Sequence, residues 1–220
     1  DPYQGLLTQI FEMSEFSFFK NVLAVNNNKN IHSDFVECWK IISKCIEEPR
    51  IEYGQVDAVG KFFSKIPNNS ILHLANSNSV RVAQMFHLDP SIEIHCNRGT
   101  DGIDGCMSTT VGFASETDKP VFLMIGDLTF FYDMNVVGNR HVGNNVRILL
   151  VNNAKGNEFR NYGHYCSIFG EDGDRYIAAA GHYGAKSPLL IRHYAEDLGY
   201  KYLFAATKEE FLQNLEHFVN

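Results

Sequence analysis

The segment that decides the fold is PVFLMIGDL (120–128), together with VRILLVNN (146–153), which follows it along the chain. Each is a short, continuous apolar run that ends in polar residues, and such runs are typical of strands buried on both faces of a sheet. A helical pattern at 128–140 lies between them. Strand, helix and strand in this order indicate parallel strands joined by a crossover helix.

The same alternation extends outward from these two segments over most of the chain. Strands are predicted at 70–75, 92–96, 120–126, 146–152 and 200–204. Helices are predicted at 54–65, 77–87, 103–117, 128–140, 188–198 and 208–219. The predicted fold class is therefore α/β, a doubly wound and mainly parallel sheet with helices on both faces.

The last two predicted helices carry their own start signals. Ser187-Pro188 supplies an N-cap and a first-turn proline for 188–198. Thr207 and Glu210 have the spacing of a capping box at the start of 208–219. Between 153 and 187 glycines recur without sustained periodicity. We interpret that segment as a long loop with one short helix, and long loops in compact domains are usually either functional or disordered.

The first fifty residues have a different pattern. It predicts a short strand at 22–26, an Asn-rich turn at 26–30 and a helix at 33–48. We interpret residues 1–50 as the tail of a preceding middle domain with a connecting helix, and 51–220 as a ligand-binding domain. Because the chain shows neither an initiator Met nor a signal-peptide pattern, we expect it to begin inside a longer protein.

Composition argues against several classes of function. The net charge is −7 and the pI is about 5.7, whereas non-specific binding to nucleic acid or anionic membranes needs clustered positive charge. No apolar run approaches the roughly 20 residues of a membrane span. The five cysteines form no C-x-x-C pair, so neither a zinc site nor a disulfide framework is indicated. We expect a cytoplasmic protein that contacts neither nucleic acid nor membrane.

Polar residues at the ends of two successive predicted strands form a candidate metal site. Asp127 follows 120–126, and Asn152-Asn153 follows the next strand. Ligands of parallel sheets gather beyond the carboxyl ends of the strands, and carboxylate and amide oxygens suit Mg²⁺, which commonly bridges to phosphates. Taken singly, Asp127 could be a helix N-cap and the Asn pair a turn. Their joint occurrence favours the metal site.

These motifs, with others, resemble a known family. Gly126-Asp127-Leu128 followed by Asn152-Asn153 is similar to the cofactor-binding motif of thiamine-diphosphate-dependent decarboxylases and their relatives. The run NRGTDGIDG (97–105) and the segment with Asn76-Ser77 and Arg81 resemble the menaquinone-pathway synthases that make 2-succinyl-5-enolpyruvyl-6-hydroxy-3-cyclohexene-1-carboxylate. The resemblance is good over 70–160 and loose elsewhere.

The resemblance implies thiamine diphosphate as cofactor, with magnesium or manganese. The metal ligands would be the side chains of Asp127 and Asn153 and the backbone carbonyl of Lys155. The cofactor would contact a set of residues at the strand ends and in the following loops: Gly126, Asp127, Leu128, Ile103, Asn153, Gly156 and Phe159. Ile103 would be the apolar prop that bends the cofactor. From the sequence alone, a buried aliphatic residue explains Ile103 equally well.

The resemblance also implies that Ser77, Arg81 and Arg98 face the substrate, as catalytic-site residues together with Ile103. The resembled enzymes act on 2-oxoglutarate and isochorismate, and the planar fork of arginine pairs well with carboxylates. Solvated or helix-capping arginines are the alternative. His164 and His182 lie in the long loop, where solvated side chains are the simpler interpretation.

The chain departs from the family pattern after the Asn pair. It has AKGNEF (154–159) in place of a glycine-rich loop, and Glu158 falls where the synthases have an aliphatic residue near the cofactor. The spacing from Asp127 to the Asn pair is also about one residue shorter than in the usual pattern. The segment 162–186, which would cover the active site, has no counterpart that we can align.

The expected function is therefore that of the cofactor-binding part of an enzyme that decarboxylates 2-oxoglutarate and adds the product to an acceptor such as isochorismate. The glutamate that activates the cofactor in the resembled superfamily comes from another domain across a subunit interface. We therefore expect a homodimer or tetramer of a longer chain, and an inactive isolated fragment. The alternatives are a thiamine-diphosphate-dependent lyase or decarboxylase of sugar or polysaccharide metabolism, and a non-catalytic domain that keeps the fold.

Overall fold

The computed structural model describes residues 5, 9–25, 34–99, 101–161, 163–179, 181 and 186–220. The chain divides into two compact units, Asp1–Glu47 and Glu48–Asn220. None of the helices within the described ranges has the length and apolar character needed to cross a membrane. All five cysteines are free thiols.

In its described residues, the first unit forms two helices, α1 at Glu15–Val25 and α2 at Asp34–Lys44. The predicted strand at 22–26 is therefore wrong, because 22–25 is the last turn of α1. The Ser14 hydroxyl accepts a hydrogen bond from the Ser17 N–H at 3.2 Å, so a helix starts there and continues through an apolar run too short to distinguish strand from helix by itself. Helix α2 covers most of the predicted 33–48, and the Asn-rich turn at 26–30 lies outside the described residues.

The second unit contains the sheet and its helices. Its strands are β1 Ile71–Leu74, β2 Glu93–Cys96, β3 Val121–Gly126 and β4 Val146–Val151. Its α-helices are α3 Gln55–Phe63, α4 Asn78–Ala83, α5 Cys106–Ala114, α6 Asp127–Asp133, α7 Gly173–Tyr176, α8 Leu190–Asp197 and α9 Lys208–Val219. Three 3₁₀ segments occur at Met134–Gly138, Asn157–Arg160 and Tyr165–Asp172.

The four strands form one parallel sheet in the order β2-β1-β3-β4. Ile71 of β1 is in register with Glu93 on one side and with Val121 on the other, and Val121 is in register with Val146. The strand order thus reverses between β1 and β3, and ligands of open parallel sheets bind beyond the carboxyl ends of the strands at such a reversal.

Helices cover both faces of the sheet, because alternate residues of each buried strand point to opposite sides. On one face Leu72, Phe122 and Met124 pack with side chains of α3, α4 and α9. On the other, Leu123 and Ile125 pack with side chains of α5, α6 and α8. The predicted α/β class with helices on both faces is confirmed.

The fifth predicted strand, at 200–204, does not form. Tyr200 and Tyr202 pack against the core cluster on the second face, and the Tyr200 hydroxyl donates to the carbonyl of Val137 at 3.0 Å. The segment is held by these side chains rather than by strand pairing. Its apolar and aromatic pattern could not show whether a neighbouring strand was available.

Several predicted helices are shorter than expected. Helix α5 begins at Cys106 rather than 103, because Gly105 has a left-handed φ of +74° that ends the preceding loop. Helix α4 ends at Ala83 rather than 87, and the predicted helix 128–140 is α6 followed by a 3₁₀ segment. The described part of the loop 153–187 contains three short helical segments, where one was predicted: two 3₁₀ segments and α7.

The two predicted helix starts have different outcomes. Both hydrogen bonds of the capping box between Thr207 and Glu210 are present at the start of α9, which confirms that prediction. Ser187, however, is not an N-cap. Its hydroxyl accepts from the Leu189 N–H at 3.2 Å within a turn, and α8 begins only at Leu190. The Ser-Pro pair therefore starts a turn that precedes the helix.

We predict that Phe62→Ala lowers the free energy of unfolding by about 3–5 kcal/mol. The Phe62 ring is fully buried and contacts Phe122 and Phe218, so its removal leaves a cavity between α3, β3 and α9. Phe204→Ala is the matched control, because Phe204 is 61% exposed. Urea denaturation measures both variants. Equal losses of stability in the two would contradict the assignment of this core.

A second prediction concerns His73 on β1, which is 3% exposed and stacks on His95 at 5.1 Å. Burial, and then the charge of His95, lower the pKa of His73 to about 4, although Glu93 opposes this. The folded pKa lies below that of the unfolded chain, so the unfolded state binds the proton more tightly. The contribution of His73 should lower the free energy of unfolding by about 3 kcal/mol as the pH drops from about 6.5 to 4.

The His73→Leu variant should lose this part of the pH dependence. His193→Leu, at an exposed position, should keep the profile of the unmodified chain. Denaturant midpoints measured between pH 7 and pH 4 make the comparison. Parallel profiles for the unmodified chain and His73→Leu would show that His73 does not carry the effect.

Candidate functional site

A cleft opens at the carboxyl ends of β1, β3 and β4, where the strand order reverses. It is open to solvent and is lined by both polar and apolar residues. The polar residues that line it include Gln55, Asn76, Ser77, Asp127, Asn153, Lys155 and Glu158, and its apolar residues include Val59, Val82, Ile103, Met124 and Phe159.

Asp127 is the most firmly held polar group of the cleft. It is 2% exposed and is the first residue of α6, directly after β3. One carboxylate oxygen accepts the Leu128 N–H at 2.8 Å, and the other accepts the N–H of Ala154 in the loop after β4. Asp127 therefore ties together the ends of two neighbouring strands.

Asn153 and Lys155 come from the loop after β4. The Asn153 amide oxygen accepts the Lys155 N–H at 3.0 Å, and its NH₂ group donates to the Gln55 side chain at 3.1 Å. Both side chains lie in the cleft wall with Asp127. The structure thus brings together the three predicted metal ligands. Sequence reasoning missed Gln55, because no motif connects the start of α3 with a strand end almost a hundred residues away.

These donors fit a magnesium or manganese ion chemically. One carboxylate, one amide oxygen and one backbone carbonyl are all hard oxygen ligands. In the described part of the chain, no three or more His, Cys, Asp and Glu side chains are grouped so that they could hold a metal. A site with one carboxylate would leave the remaining positions of the ion for phosphate oxygens and water. Asp127, Asn153 and Lys155 therefore suit a metal that is shared with a bound diphosphate.

Gly156 keeps the loop after β4 close to the segment before residue 180. Its N–H donates to the Ala179 carbonyl at 2.9 Å. A Cβ at this position would lie far inside contact distance of the same carbonyl oxygen. The φ of Gly156 is −77°, so close approach, not backbone conformation, requires glycine here. Sequence reasoning placed Gly156 in the site but did not find its partner, Ala179.

The apolar residues Ile103 and Phe159 lie in the cleft wall. The loop that carries Ile103 is fixed by Asn76 at the end of β1, whose NH₂ group donates to the carbonyls of Asn97 and Gly102. The Asn76 side-chain oxygen is buried and has no hydrogen-bond partner among the described residues. A buried unpaired acceptor in a cleft wall marks a place where a ligand or water donates.

Ser77, Arg81 and Glu158 form a hydrogen-bonded cluster at the edge of the cleft. The Ser77 hydroxyl donates to one oxygen of Glu158 at 2.7 Å, and Arg81 donates to the other at 2.7 Å. Burial alone would raise the pKa of Glu158, but these two hydrogen bonds, with the charges of Arg81 and His164, hold it below its usual value. The stabilising effect of this carboxylate is therefore present at neutral pH and is lost as the pH falls through its lowered pKa.

Arg81 and Arg98 are not among the described residues that line the cleft. Arg81 reaches it indirectly, through Glu158. Arg98 is paired with Asp101 at 2.5 Å, and both side chains are largely exposed. His164 accepts the Cys166 N–H through Nδ1 and packs edge-on against Phe159. His182 lies outside the described residues. Contact of Arg98 with substrate stays a prediction.

Comparison with known proteins gives relatives in sequence and in structure. The chain is 36% identical over 98% of its length to a 2-succinyl-5-enolpyruvyl-6-hydroxy-3-cyclohexene-1-carboxylate synthase of Phocaeicola vulgatus, and 42% identical over 72% of its length to the synthase of the same name from Bacteroides fragilis. These alignments cover 37% and 28% of the relatives. The chain thus spans about a third of the length of the curated relatives it matches. No protein-family model matches it.

Among solved structures, the crystal structure of benzoylformate decarboxylase from Polynucleobacter necessarius superposes with a TM-score of 0.58. It matches 79% of this chain and 32% of that chain, at 15% identity. At this identity the likeness shows a shared fold alone. The sequence relatives confirm the family resemblance that the motifs at 76–81, 97–105, 126–128 and 152–153 indicated.

We predict that Gly156→Ala lowers the free energy of unfolding by about 1–3 kcal/mol, because the new methyl group must displace Ala179. Amide hydrogen exchange around residues 154–160 should become faster. Gly112→Ala is the control, since a Cβ there meets no atom within 4 Å and lies in α5. It should be neutral or stabilising. Unchanged exchange in Gly156→Ala would show that the contact with Ala179 does not hold the loop.

Proposed function

From the premise that this chain is a relative of the thiamine-diphosphate-dependent 2-succinyl-5-enolpyruvyl-6-hydroxy-3-cyclohexene-1-carboxylate synthases, we propose that it is the cofactor-binding part of such an enzyme. The proposed reaction is decarboxylation of a 2-oxo acid, 2-oxoglutarate, and addition of the product to an acceptor such as isochorismate, as in menaquinone biosynthesis. The observation that supports this proposal best is that Asp127, Asn153 and Lys155 line the same cleft.

The proposed metal ligands are the side chains of Asp127 and Asn153 and the carbonyl of Lys155, with magnesium or manganese as the ion. Asp127 is the only carboxylate of the three. Its two backbone hydrogen bonds fix its orientation. A protein of net charge −7 needs such local neutralisation to hold a diphosphate, because its overall field repels anions.

The remaining cleft residues define the proposed cofactor and substrate regions. Thiamine diphosphate, when bound, supplies the electron sink that stabilises negative charge after a 2-oxo acid loses carbon dioxide. Gly126, Leu128, Gly156 and Phe159 line the region next to the metal ligands. Ile103 contributes an apolar surface that excludes water and sets the orientation of the bound group. Ser77 and Arg81, with Arg98, are the proposed substrate residues.

We also propose that the functional enzyme is at least a homodimer, in the cytoplasm, and that the activating glutamate comes from another subunit. No motif in this chain resembles that glutamate. The support is that the curated relatives are about three times as long as the part matched here. Two units, Asp1–Glu47 and Glu48–Asn220, are consistent with a tail of a middle domain followed by the cofactor-binding domain.

A second candidate is a thiamine-diphosphate-dependent lyase or decarboxylase of sugar or polysaccharide metabolism. The observation that favours it is that the Glu158 carboxylate already accepts hydrogen bonds from both Ser77 and Arg81. Product analysis with 2-oxoglutarate and isochorismate distinguishes the two candidates. A domain that keeps the fold without catalysis is a third possibility, and it would bind no cofactor.

We predict that Asp127→Asn weakens magnesium-dependent binding of thiamine diphosphate by at least about tenfold, which corresponds to the loss of one charge-assisted contact. The substitution keeps the shape of the side chain but removes its charge. Asp118→Asn, at an exposed position, is the matched control and should bind as the unmodified protein does. Calorimetric titration with and without Mg²⁺ measures the effect. Unchanged affinity in Asp127→Asn would overturn the metal assignment.

A further inference from the structure

Ser77 and Arg81 together have the geometry of a carboxylate-binding site. Each donates one hydrogen bond of 2.7 Å, and the two bonds end on different oxygens of the same carboxylate. The hydroxyl comes from the residue before α4 and the guanidinium from within α4. Together they match the two acceptor atoms of a carboxylate and supply one compensating charge. The occupant of this site in the structure is the side chain of Glu158.

The backbone at Ser77 is strained in a way that serves this site. Ser77 is the residue before α4, the usual position of a capping serine, yet its side chain makes no cap hydrogen bond. Its φ is +67°, a conformation that costs free energy for a residue with a Cβ and that is concentrated at functional sites. The hydroxyl is therefore used for Glu158 instead of for the helix.

The segment that carries Glu158 lies outside the core. It is a single 3₁₀ segment, Asn157–Arg160, with no buried residue. The Glu158 side chain is 31% exposed and that of Arg81 is 43% exposed. Ion pairs with this exposure are weak, because water solvates both charges well when they separate. An external carboxylate that makes the same two hydrogen bonds can therefore replace Glu158 at little cost.

We infer that Glu158 is an internal competitor for the Ser77–Arg81 carboxylate site and sets how tightly the cleft binds carboxylate ligands. This inference rests on the proposed function in taking the cleft as the place where an acidic substrate binds. With Glu158 in place the site is neutral and filled. Without its charge, the site presents an uncompensated guanidinium next to Ser77. The residue that departs from the family pattern thus becomes the specificity-determining residue of this chain.

The test is a titration of the full-length protein with succinate, a simple dicarboxylate, in the absence of thiamine diphosphate. Glu158→Gln keeps the size of the side chain and removes its charge. It should bind succinate about tenfold more tightly than the unmodified protein, a change within the range usual for coupled ligands. Glu158→Leu, which replaces the carboxylate with an apolar side chain, should show the same gain in succinate affinity. Chemical-shift changes of the Ser77 and Arg81 signals locate the binding.

Two further variants make the result specific. Combining Glu158→Gln with Arg81→Ala should abolish the gain, because the guanidinium that binds succinate is absent. Glu216→Gln removes a carboxylate from an ion pair with Lys65 outside the cleft, and it should bind succinate as the unmodified protein does. Circular dichroism confirms that each variant is folded.

Equal or weaker succinate binding by both Glu158 variants would overturn the inference, as would a gain that persists without Arg81. Failure of the proposed function has a different outcome. If the protein shows the succinate pattern but does not bind thiamine diphosphate with Mg²⁺, the internal competitor stands and the cofactor assignment falls. If it binds the cofactor and Glu158→Gln shows no gain, only the inference about Glu158 is wrong.

Discussion

The cleft depends on one constraint, the carboxylate of Asp127 held between two strand ends. It accepts the N–H of Leu128, at the start of α6, and the N–H of Ala154, after β4. Ala154, which donates the second of these hydrogen bonds, has a φ of +54°, so the loop turns sharply there. A buried carboxylate without such donors would be costly. With them, it fixes the place where the loop after β4 leaves the sheet.

The parallel sheet supplies what this interaction needs. Strands β3 and β4 are paired over six residues in register, so Asp127 and the loop after β4 emerge at the same edge. The reversal of strand order places the end of β1, with Asn76 and Ser77, on the other side of β3. Three chain segments distant in sequence therefore meet around one cleft. Their side chains differ in role, since Asp127 is buried and rigid, whereas Glu158 and Arg81 are half-exposed.

Features set by local pattern could be predicted from the sequence, and features set by tertiary contacts could not. The four strands of the sheet and the capping box of Thr207 were predictable, because apolar runs and cap spacing are local signals. The helix at 22–25 and the unpaired segment 200–204 were not, because short apolar runs fit more than one structure. In the site, Asp127 and Asn153 were found from strand ends. Gln55 and Ala179 were missed, since only the folded chain brings them there.

The cleft shows how an acidic protein can handle anions. Its net charge of −7 would repel a diphosphate or a carboxylate, but at physiological ionic strength such repulsion is screened beyond about 8–10 Å. Binding is then decided by a few groups at contact distance. In the proposed function Asp127 recruits a cation, so a negative side chain would hold an anion through the metal. Glu158, at the edge of the cleft, acts against anion binding, because it already accepts a hydrogen bond from the Arg81 guanidinium. In the proposed function, the two carboxylates therefore have opposite effects on anionic ligands, and the difference lies in what each one contacts.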